Sequence, residues 1–301
     1  ATRRASSASA ERCGAVEPRA RGFRVVLEVE ADQPVLEFTG RLTKALVFAL
    51  SPELQALRGV EGAVSPIHVS PLFKVSGDHD LGDPAYPYAV RSKEAGEIAP
   101  VSLGGEYVFH VGGDADVASR IASRLGQLQG PLLMRIHDVT VKFKVEKVVD
   151  VTKEVLEKAG SVGGRVRVYL KSPAQVFNVF TATKLPKFSP SAVELLMVPY
   201  AVLQGSYTIT EQLVVSSFRV LGKLVETWYS IRTLRPVEVV FKGKRQVNMA
   251  GSVTYVIQEG PPAAGAAEER GLDATRATLA LAELVGIGRS RQNGFGTVVI
   301  K

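Results

Sequence analysis

The sequence predicts an α+β protein in which two units of similar size repeat one order of strands and helices. Three observations support this prediction: short β-branched runs alternate with helical segments, residues 21–159 have the order β-α-β-β-α-β, and residues 160–301 repeat it. A chain with this order folds into a four-stranded antiparallel sheet with two helices on one face, the ferredoxin-like or RRM-like fold. The sequence therefore predicts tandem ferredoxin-like domains at 21–159 and 160–301.

The first unit opens with a strand and a helix. Residues 23–30 are rich in β-branched side chains, as strands are, and residues 42–50 have a helical pattern that extends through Leu57. A second strand is predicted over 66–75. The Gly/Asp/Pro/Ser-rich stretch 77–100 is predicted to be a long loop or irregular hairpin.

A third strand, a capped helix and a strand-rich segment complete this unit. The strand is predicted at 106–110, and Asp114 is placed to cap a helix that ends at Leu128. Apolar residues recur every three or four positions along that helix, beginning at Val117. Residues 132–149 then supply the closing strands.

The second unit follows a turn-rich linker at 160–164. Residues 165–170 alternate basic and apolar side chains, as a half-exposed strand does, and helices are predicted from Ser191 and Thr210. The strands 237–242 and 247–256 meet at the basic turn Lys242-Gly243-Lys244-Arg245. Asp273 is predicted to cap a helix that reaches Val285, after a loop at 260–267, and a strand at 297–300 ends the chain.

Composition and charge narrow the functional class. The chain has 46% hydrophobic and 22% charged residues and no run of about 18 apolar residues, so a soluble cytoplasmic protein with no membrane contact is expected. Residues 1–20 are predicted to be a disordered arm, and the single cysteine, Cys13, can form neither an intrachain disulfide nor a cysteine zinc cluster. The net charge of +7 is concentrated in residues 161–301, which hold 17 Lys and Arg against 9 Asp and Glu. This balance favours a polyanionic partner or a solvated basic surface.

A glycine-rich segment lies between the last helix and the last strand, with the sequence Gly286-Ile-Gly-Arg-Ser-Arg-Gln-Asn-Gly-Phe-Gly296. A dinucleotide-binding loop needs a strand before it and a helix after it, and here that order is reversed. Glycines of this kind bring backbone N–H groups close to a phosphate backbone, with Arg289 and Arg291 neutralising its charge. Phe295 is expected either to pack on the sheet or to stack a base. The alternative that this segment is a purely structural turn stays open.

This segment resembles the signature of the RAMP superfamily, the repeat-associated RNA-binding proteins. Within it the chain is most similar to the CRISPR repeat-processing endoribonucleases, the sixth of the Cas families. Further stretches that support the resemblance are 42–46, 66–73 and 165–173. The resemblance implies attack of a ribose 2′-OH on the adjacent phosphate of CRISPR repeat RNA, leaving a 2′,3′-cyclic phosphate and a 5′-OH. It implies no metal and no cofactor, and the four histidines show no metal-ligand spacing.

Many members of the family carry a histidine just after the first helix, where this chain has Arg58 in Leu54-Gln55-Ala56-Leu57-Arg58. The resemblance therefore points to the branch that cleaves with basic residues, in which Arg41 and Lys44 hold the matching positions. Their i, i+3 spacing places both side chains on one helix face. His68 is a third catalytic candidate, whereas Ser65 stands where related sequences have a lysine. His79 and His110 are expected at the surface or in loops, and His137 in a strand.

The RNA-binding residues that the resemblance implies belong to the second-unit hairpin and the glycine segment. They are Lys244, Arg245, Gly286, Gly288, Arg289, Ser290, Arg291, Gly294, Phe295 and Gly296. A catalytically silent RNA-binding subunit of a CRISPR effector complex is the alternative, because one expected histidine and one expected cation are missing. A third, weaker alternative is a ferredoxin-like metabolic enzyme. Contacts with other effector subunits and a homodimer stay open.

Overall fold

We describe the protein from a computed structural model in residues 19–57, 64–77, 80–91, 96–160, 162–176, 189–227, 233–258 and 265–301. Three of the predicted features lie wholly or partly outside these ranges. They are residues 1–18 of the predicted arm at 1–20, His79, and residues 260–264 of the predicted loop at 260–267. The first strand begins at Ala20. No helix within the described ranges is long and apolar enough to cross a membrane.

The first sheet has seven strands and carries two helices over one face. Its strands follow the order β4-β3-β6-β1-β8-β7, and β2 also pairs with β6. The strands are β1 (Ala20–Ala31), β2 (Ile67–Val69), β3 (Phe73–Ser76), β4 (Asp80–Pro84), β6 (Gly104–Asp114), β7 (Leu132–Ile136) and β8 (Val139–Asp150). Helices α1 (Gly40–Leu50) and α2 (Ala115–Gly126) bury Leu42, Leu46 and Ile121 against Val25 and Leu27 of β1.

The second sheet has six strands in the order β13-β9-β12-β11-β5, and β10 also pairs with β12. The strands are β5 (Ala89–Val90), β9 (Arg165–Ala174), β10 (Leu224–Glu226), β11 (Leu234–Phe241), β12 (Lys244–Ile257) and β13 (Val298–Ile300). Helices α4 (Ala192–Leu203), α5 (Glu211–Leu221) and α6 (Gly265–Val285) share a core with Val166 and Val168 of β9. α4 is buried along nearly its whole length.

The two sheets have the same topology. Strands β3, β6, β1 and β8 in the first sheet lie in the same relative order as β11, β12, β9 and β13 in the second. Every pairing between these strands is antiparallel. The predicted tandem ferredoxin-like fold is therefore confirmed.

Asp114 caps its helix as predicted, and the helix predicted from Thr210 begins there with Thr210 as its cap. The predicted cap at Asp273 is wrong, because α6 begins at Gly265 and Asp273 lies inside it. The Asp114 carboxylate accepts hydrogen bonds from the amides of Asp116 and Val117, and the Thr210 hydroxyl accepts one from Leu213. Ser191 precedes α4 without such a bond. The prediction missed helix α3 (Thr152–Gly160), which occupies the residues just before the predicted linker.

Two strand predictions need correction. The strand predicted over 66–75 is broken at Ser70-Pro71, because Pro71 cannot donate to a ladder, and it forms β2 and β3. The segment 77–100, predicted as a long loop or irregular hairpin, contains β4, which pairs with β3 in a hairpin with a register shift. It also contains β5, which was not predicted and adds to the edge of the second sheet beside β11. The chain therefore crosses between the two sheets before the second unit begins.

Aromatic side chains join the two sheets. Phe38, which precedes α1, stacks on Phe295 of the glycine segment at a ring-centroid distance of 4.7 Å. Phe241 at the end of β11 contacts the same Phe295 ring edge-on at 5.5 Å. Phe295 is fully buried, so the structure favours its packing role over the alternative of stacking a base.

Candidate functional site

The glycine segment, residues 286–296, connects α6 to β13 through a short 3-10 turn at Arg291–Asn293. Its four glycines have φ of +69° at Gly286, +65° at Gly288, +96° at Gly294 and +76° at Gly296. A Cβ at any of them would lie only 2.0 to 2.7 Å from its nearest neighbouring atom. Both the left-handed backbone and the close packing therefore require glycine at these positions.

The backbone amides of this segment are largely used inside the protein. Six of them donate to carbonyl oxygens, among them Ile287 to Gly296, Arg289 to Gln175 and Gly296 to Pro173. All four glycines are buried. Their predicted role of presenting N–H groups to phosphates is therefore replaced by a structural one, in which they let α6, β13 and α1 pack closely.

Arg291 points into the interior and is only 3% exposed. Its guanidinium donates hydrogen bonds to the backbone carbonyls of Val285 and Ser65. Burial lowers the pKa of Arg291 to about 9, which leaves it charged at neutral pH. The prediction that Arg291 binds a phosphate is therefore corrected: it joins the end of α6 to the segment before β2.

His68 lies next to Arg291 in the same interior. It is fully buried, its Nδ1 donates to the Arg291 carbonyl at 3.2 Å, and the Thr297 hydroxyl donates to its Nε2 at 3.2 Å. Burial, and then the nearby His110 and Arg291, hold the pKa of His68 well below its usual range. A buried neutral imidazole with both nitrogens bonded cannot reach an RNA phosphate, so the catalytic role predicted for His68 is corrected to a structural one.

His110 also lies in the interior, in β6, and not at the surface or in a loop as predicted. Its Nε2 donates to the Leu284 carbonyl at 2.7 Å, and its ring centroid lies 5.7 Å from that of His68. Burial lowers the pKa of His110 to about 4. His137, predicted in a strand, instead occupies the exposed turn between β7 and β8 with φ of +56°.

A groove lies outside this interior, between α1 and residues 292–293 of the glycine segment. It has a volume of about 430 Å³, and three of its lining side chains are cationic: Arg41, Lys44 and Lys242. The amide side chains of Gln292 and Asn293 also line it. Lys44 Nζ donates to the Asn293 Oδ1 at 2.7 Å, so a predicted catalytic residue contacts the glycine segment directly.

Glu37 fixes two of the three cationic positions. Its carboxylate pairs with the Arg41 guanidinium at 2.9 Å and accepts hydrogen bonds from the amides of Lys242 at 3.0 Å and Gly243 at 2.6 Å. The Phe241 ring lies 5.8 Å from both the Arg41 guanidinium and the Lys242 ammonium. Residues of the first sheet's helix and the second sheet's hairpin are thus held around one groove.

The centre of the turn between β11 and β12 lies one residue earlier than the centre of the predicted turn at 242–245. Lys242 and Gly243 have φ of +56° and +69°, as in a two-residue type I′ turn, and Phe241 pairs with Lys244. Lys244 and Arg245 are therefore the first residues of β12 and do not line the groove. Arg245 instead donates to the Gly96 carbonyl at 3.1 Å and faces Glu238.

The remaining predicted residues, Arg289 and Ser290, do not line the groove. Arg289 and Ser290 are partly exposed, and the Arg289 amide donates to Gln175. Ser290 has φ of +57°, an uncommon conformation for a non-glycine residue. Sequence reasoning missed Glu37, Lys242 and Asn293. The Lys-Gly pair was a usable signal for Lys242, because glycine at the second turn position is typical of type I′ hairpins.

Among the described residues, no three His, Cys, Asp or Glu side chains come together in a way that could hold a metal ion. The groove is instead lined by cations, amides and aromatic rings. Such a lining is suited to a phosphate or another anion.

The fold and the groove define a tandem ferredoxin-like protein with a cationic groove at the junction of its two sheets. No protein-family model matches the sequence, and the search of curated proteins found no match. Solved structures do match, and 37 chains do so.

Three of these structures cover nearly the whole chain. The Thermus thermophilus Cas6 product complex has 16% identity and a TM-score of 0.59, over 93% of this chain and 99% of that one. A Cas6-related protein from Pyrococcus furiosus has 12% identity and a TM-score of 0.54, over 94% and 98%. A RAMP protein described as binding different RNA substrates has 14% identity and a TM-score of 0.51, over 93% and 99%. The chain therefore has the fold of the Cas6 and RAMP proteins.

Proposed function

We propose that this chain binds CRISPR repeat RNA and cuts it, with the scissile phosphate held in the groove of Arg41, Lys44 and Lys242. The main support is the contact between Lys44 and Asn293, which brings the first helix and the glycine segment to one place. The fold supports the same assignment, because structures that share it include Cas6 product and substrate-mimic complexes.

Electrostatics in the groove fit a phosphate that gains negative charge during the reaction. The Arg41 guanidinium is held by Glu37, with the Arg41 side chain 18% exposed, so its planar donors are oriented before RNA arrives. Lys44 supplies a point charge oriented by Asn293. Preorganised donors of this kind stabilise a transition state without reorganising when charge develops.

The proposed reaction is an internal transfer within the RNA. The 2′ oxygen forms a bond to the adjacent phosphorus while the bond from phosphorus to the 5′ oxygen breaks, which leaves a 2′,3′-cyclic phosphate and a 5′-OH. The 2′ proton passes to water, and the 5′ oxygen takes a proton from water. Arg41 and Lys44 stabilise the charge on the phosphorane oxygens, so this scheme needs no metal.

Incubating the full chain with CRISPR repeat RNA in EDTA tests the proposal. One cut is expected, with a cyclic phosphate on the upstream product. A repeat with a single deoxyribose at the cut site should remain intact, because it lacks the attacking oxygen. Lack of any cut in the all-ribose RNA, at concentrations where that RNA is bound, would refute the nuclease.

A catalytically silent RNA-binding subunit is the second candidate. It is favoured by the burial of His68 and His110, the two described histidines that lie near the junction. Tight binding of the repeat without cleavage at several pH values would select it over the nuclease. Association with other effector subunits, homodimer formation and the domain boundaries at 21–159 and 160–301 stay predictions.

A further inference from the structure

The open face of the second sheet carries a row of basic residues around one aromatic ring. Strand β9 alternates, so that Val166, Val168 and Leu170 are buried beneath the helices. The side chains between them belong to the opposite face of the sheet. These are Arg165, Arg167, Tyr169 and Lys171.

Tyr169 lies at the centre of this row, with one cation on its own strand and another just after the neighbouring strand β13. The Arg167 guanidinium carbon lies 4.7 Å from the ring centroid, and the ammonium of Lys301, just after β13, lies 5.3 Å from it. Arg167 is anchored, because its Nε and Nη2 donate to the Ser252 hydroxyl of β12 at 3.1 and 2.9 Å. The ring and the guanidinium therefore form a fixed platform, beside which Lys301 is exposed.

The two sheets differ in the charge of their open faces. On the first sheet, Lys142 pairs with Glu30 at 3.3 Å, and Lys144 pairs with Glu146 at 2.7 Å and with Glu28 at 3.9 Å. Within the described ranges, no carboxylate pairs with Arg165, Arg167, Lys171 or Lys301 on the second sheet. The cations of the first face are thus paired by its own acids. On the second face the described residues give Arg165 and Arg167 no such partner, while Lys171 and Lys301 line a pocket that also contains Asp80, Glu154 and Glu283.

We propose that this face of the second sheet is a separate binding surface for single-stranded RNA. Tyr169 stacks one base, and Arg165 and Lys301 hold phosphates on either side, whereas the Lys171 ammonium already donates to the Gly82 carbonyl of β4. Proteins that bind single strands combine a positive track with exposed aromatic rings in this way, and RRM-type sheets use their central strands for it. A duplex would not fit, because its bases are already stacked on one another. The surface extends the proposed function but does not depend on cleavage.

Fluorescence anisotropy of the full chain with a labelled uridine oligoribonucleotide tests the stacking contact. Tyr169→Leu removes the ring and keeps apolar bulk, and it should weaken binding about tenfold. Tyr169→Phe keeps the ring and should bind within about twofold of the parent chain, since stacking needs only the π face. Binding of Tyr169→Leu at the parent affinity would overturn the stacking contact.

A charge test uses the two sheets as a matched pair. Arg165→Gln combined with Lys301→Gln removes two exposed cations from the second sheet, and should lower the slope of log affinity against log salt by about 1.4. Lys142→Gln combined with Lys144→Gln removes the same charge from the first sheet, where acids already pair with it, and should change the slope less.

Equal slope changes in the two double variants would overturn the proposal, because they would show a general charge effect. The charge test remains informative even if Tyr169→Leu lowers the melting temperature of the protein, because all four cations that it substitutes are exposed at the surface. Competition by duplex RNA as strong as by the single strand would also contradict it. The uridine oligomer is not a CRISPR repeat, so these outcomes are separate from success or failure of the cleavage assay in EDTA.

Discussion

The inner, buried side of the glycine segment and its outer side, which lines the groove, have different roles. On the inner side Arg291, Phe295 and the four glycines are buried and bonded to neighbouring elements. On the outer side Asn293 and Gln292 line the groove that contains Arg41 and Lys44. The inner residues therefore determine the spacing of the motif, while most of the charge in the groove comes from α1 and the hairpin turn. Changes on the two sides should separate stability from RNA chemistry.

The largest difference between an effect on RNA cleavage and an effect on stability is expected at Lys44. Lys44→Ala should reduce the rate of repeat cleavage by roughly 100-fold, because it removes a cation oriented toward the scissile phosphate. RNA binding should change much less, and the free energy of unfolding by about 1 kcal/mol, because the variant loses the hydrogen bond between Lys44 and Asn293. Single-turnover cleavage at saturating protein measures the first effect, and urea denaturation the last.

Lys153→Ala serves as the control for Lys44→Ala. It removes the same charge from helix α3, where the Lys153 side chain is 89% exposed and pairs with Glu157 one turn away. Its cleavage rate should match the parent chain. If Lys153→Ala slows cleavage as much as Lys44→Ala, the groove is not the site of the chemistry.

Local patterns in the sequence predicted most of the fold. The Asp114 cap, the helix that begins after Thr210, the alternation in β9 and the order of elements all follow from residues close together in the chain. Helix α3 was missed, because it is short and no element was predicted between the strand-rich segment that ends at 149 and the linker that begins at 160. The pairing of β5 with β11 joins residues far apart in sequence, and no local pattern contains that information.

The site was only partly predictable for the same reason. The i, i+3 spacing of Arg41 and Lys44 placed them correctly on one helix face. Arginine in a glycine-rich segment is compatible with both a phosphate contact and a buried bond to carbonyls, and only the path of α6 and the segment before β2 decides for Arg291. Glu37 carries no motif at all.

The buried histidines predict a loss of stability in acid. The pKa of His110 is lowered to about 4 by burial, against about 6.5 for an unfolded chain, so the unfolded state binds the proton first. Stability from this group is therefore complete above about pH 6.5 and declines as the pH falls toward 4, by about 3 kcal/mol in all. His68, whose pKa is also lowered, should act in the same direction.

His110→Gln isolates this effect from that of the carboxylates, because an amide can still donate to the Leu284 carbonyl but does not titrate. Urea unfolding from pH 7 to pH 4.5 should show a shallower decline in the variant than in the parent chain. His137→Asn, at the exposed turn between β7 and β8, is the control. Parallel curves for all three proteins would mean that His110 is not responsible.

A smaller effect on stability is expected at Arg291. Arg291→Met keeps the length of the side chain but leaves the carbonyls of Val285 and Ser65 without their donor. Two such acceptors together should cost about 2 kcal/mol, partly offset by the easier burial of methionine. Urea unfolding at pH 7 measures the loss. An unchanged free energy of unfolding would show that these bonds do not stabilise the junction.

Salt dependence gives the smallest effect and separates the two arginines of the motif. Arg289 is partly exposed, so Arg289→Gln should lower the slope of log affinity against log salt by about 0.7, the value for one phosphate contact on a single strand. Arg291→Met should leave that slope unchanged, because a buried guanidinium releases no counterion on binding. Anisotropy titrations with an uncleavable repeat over a range of salt concentrations measure both. If Arg291→Met lowers the slope as much as Arg289→Gln does, Arg291 must turn outward when RNA binds, and the separation between inner and outer sides would hold only for the free protein.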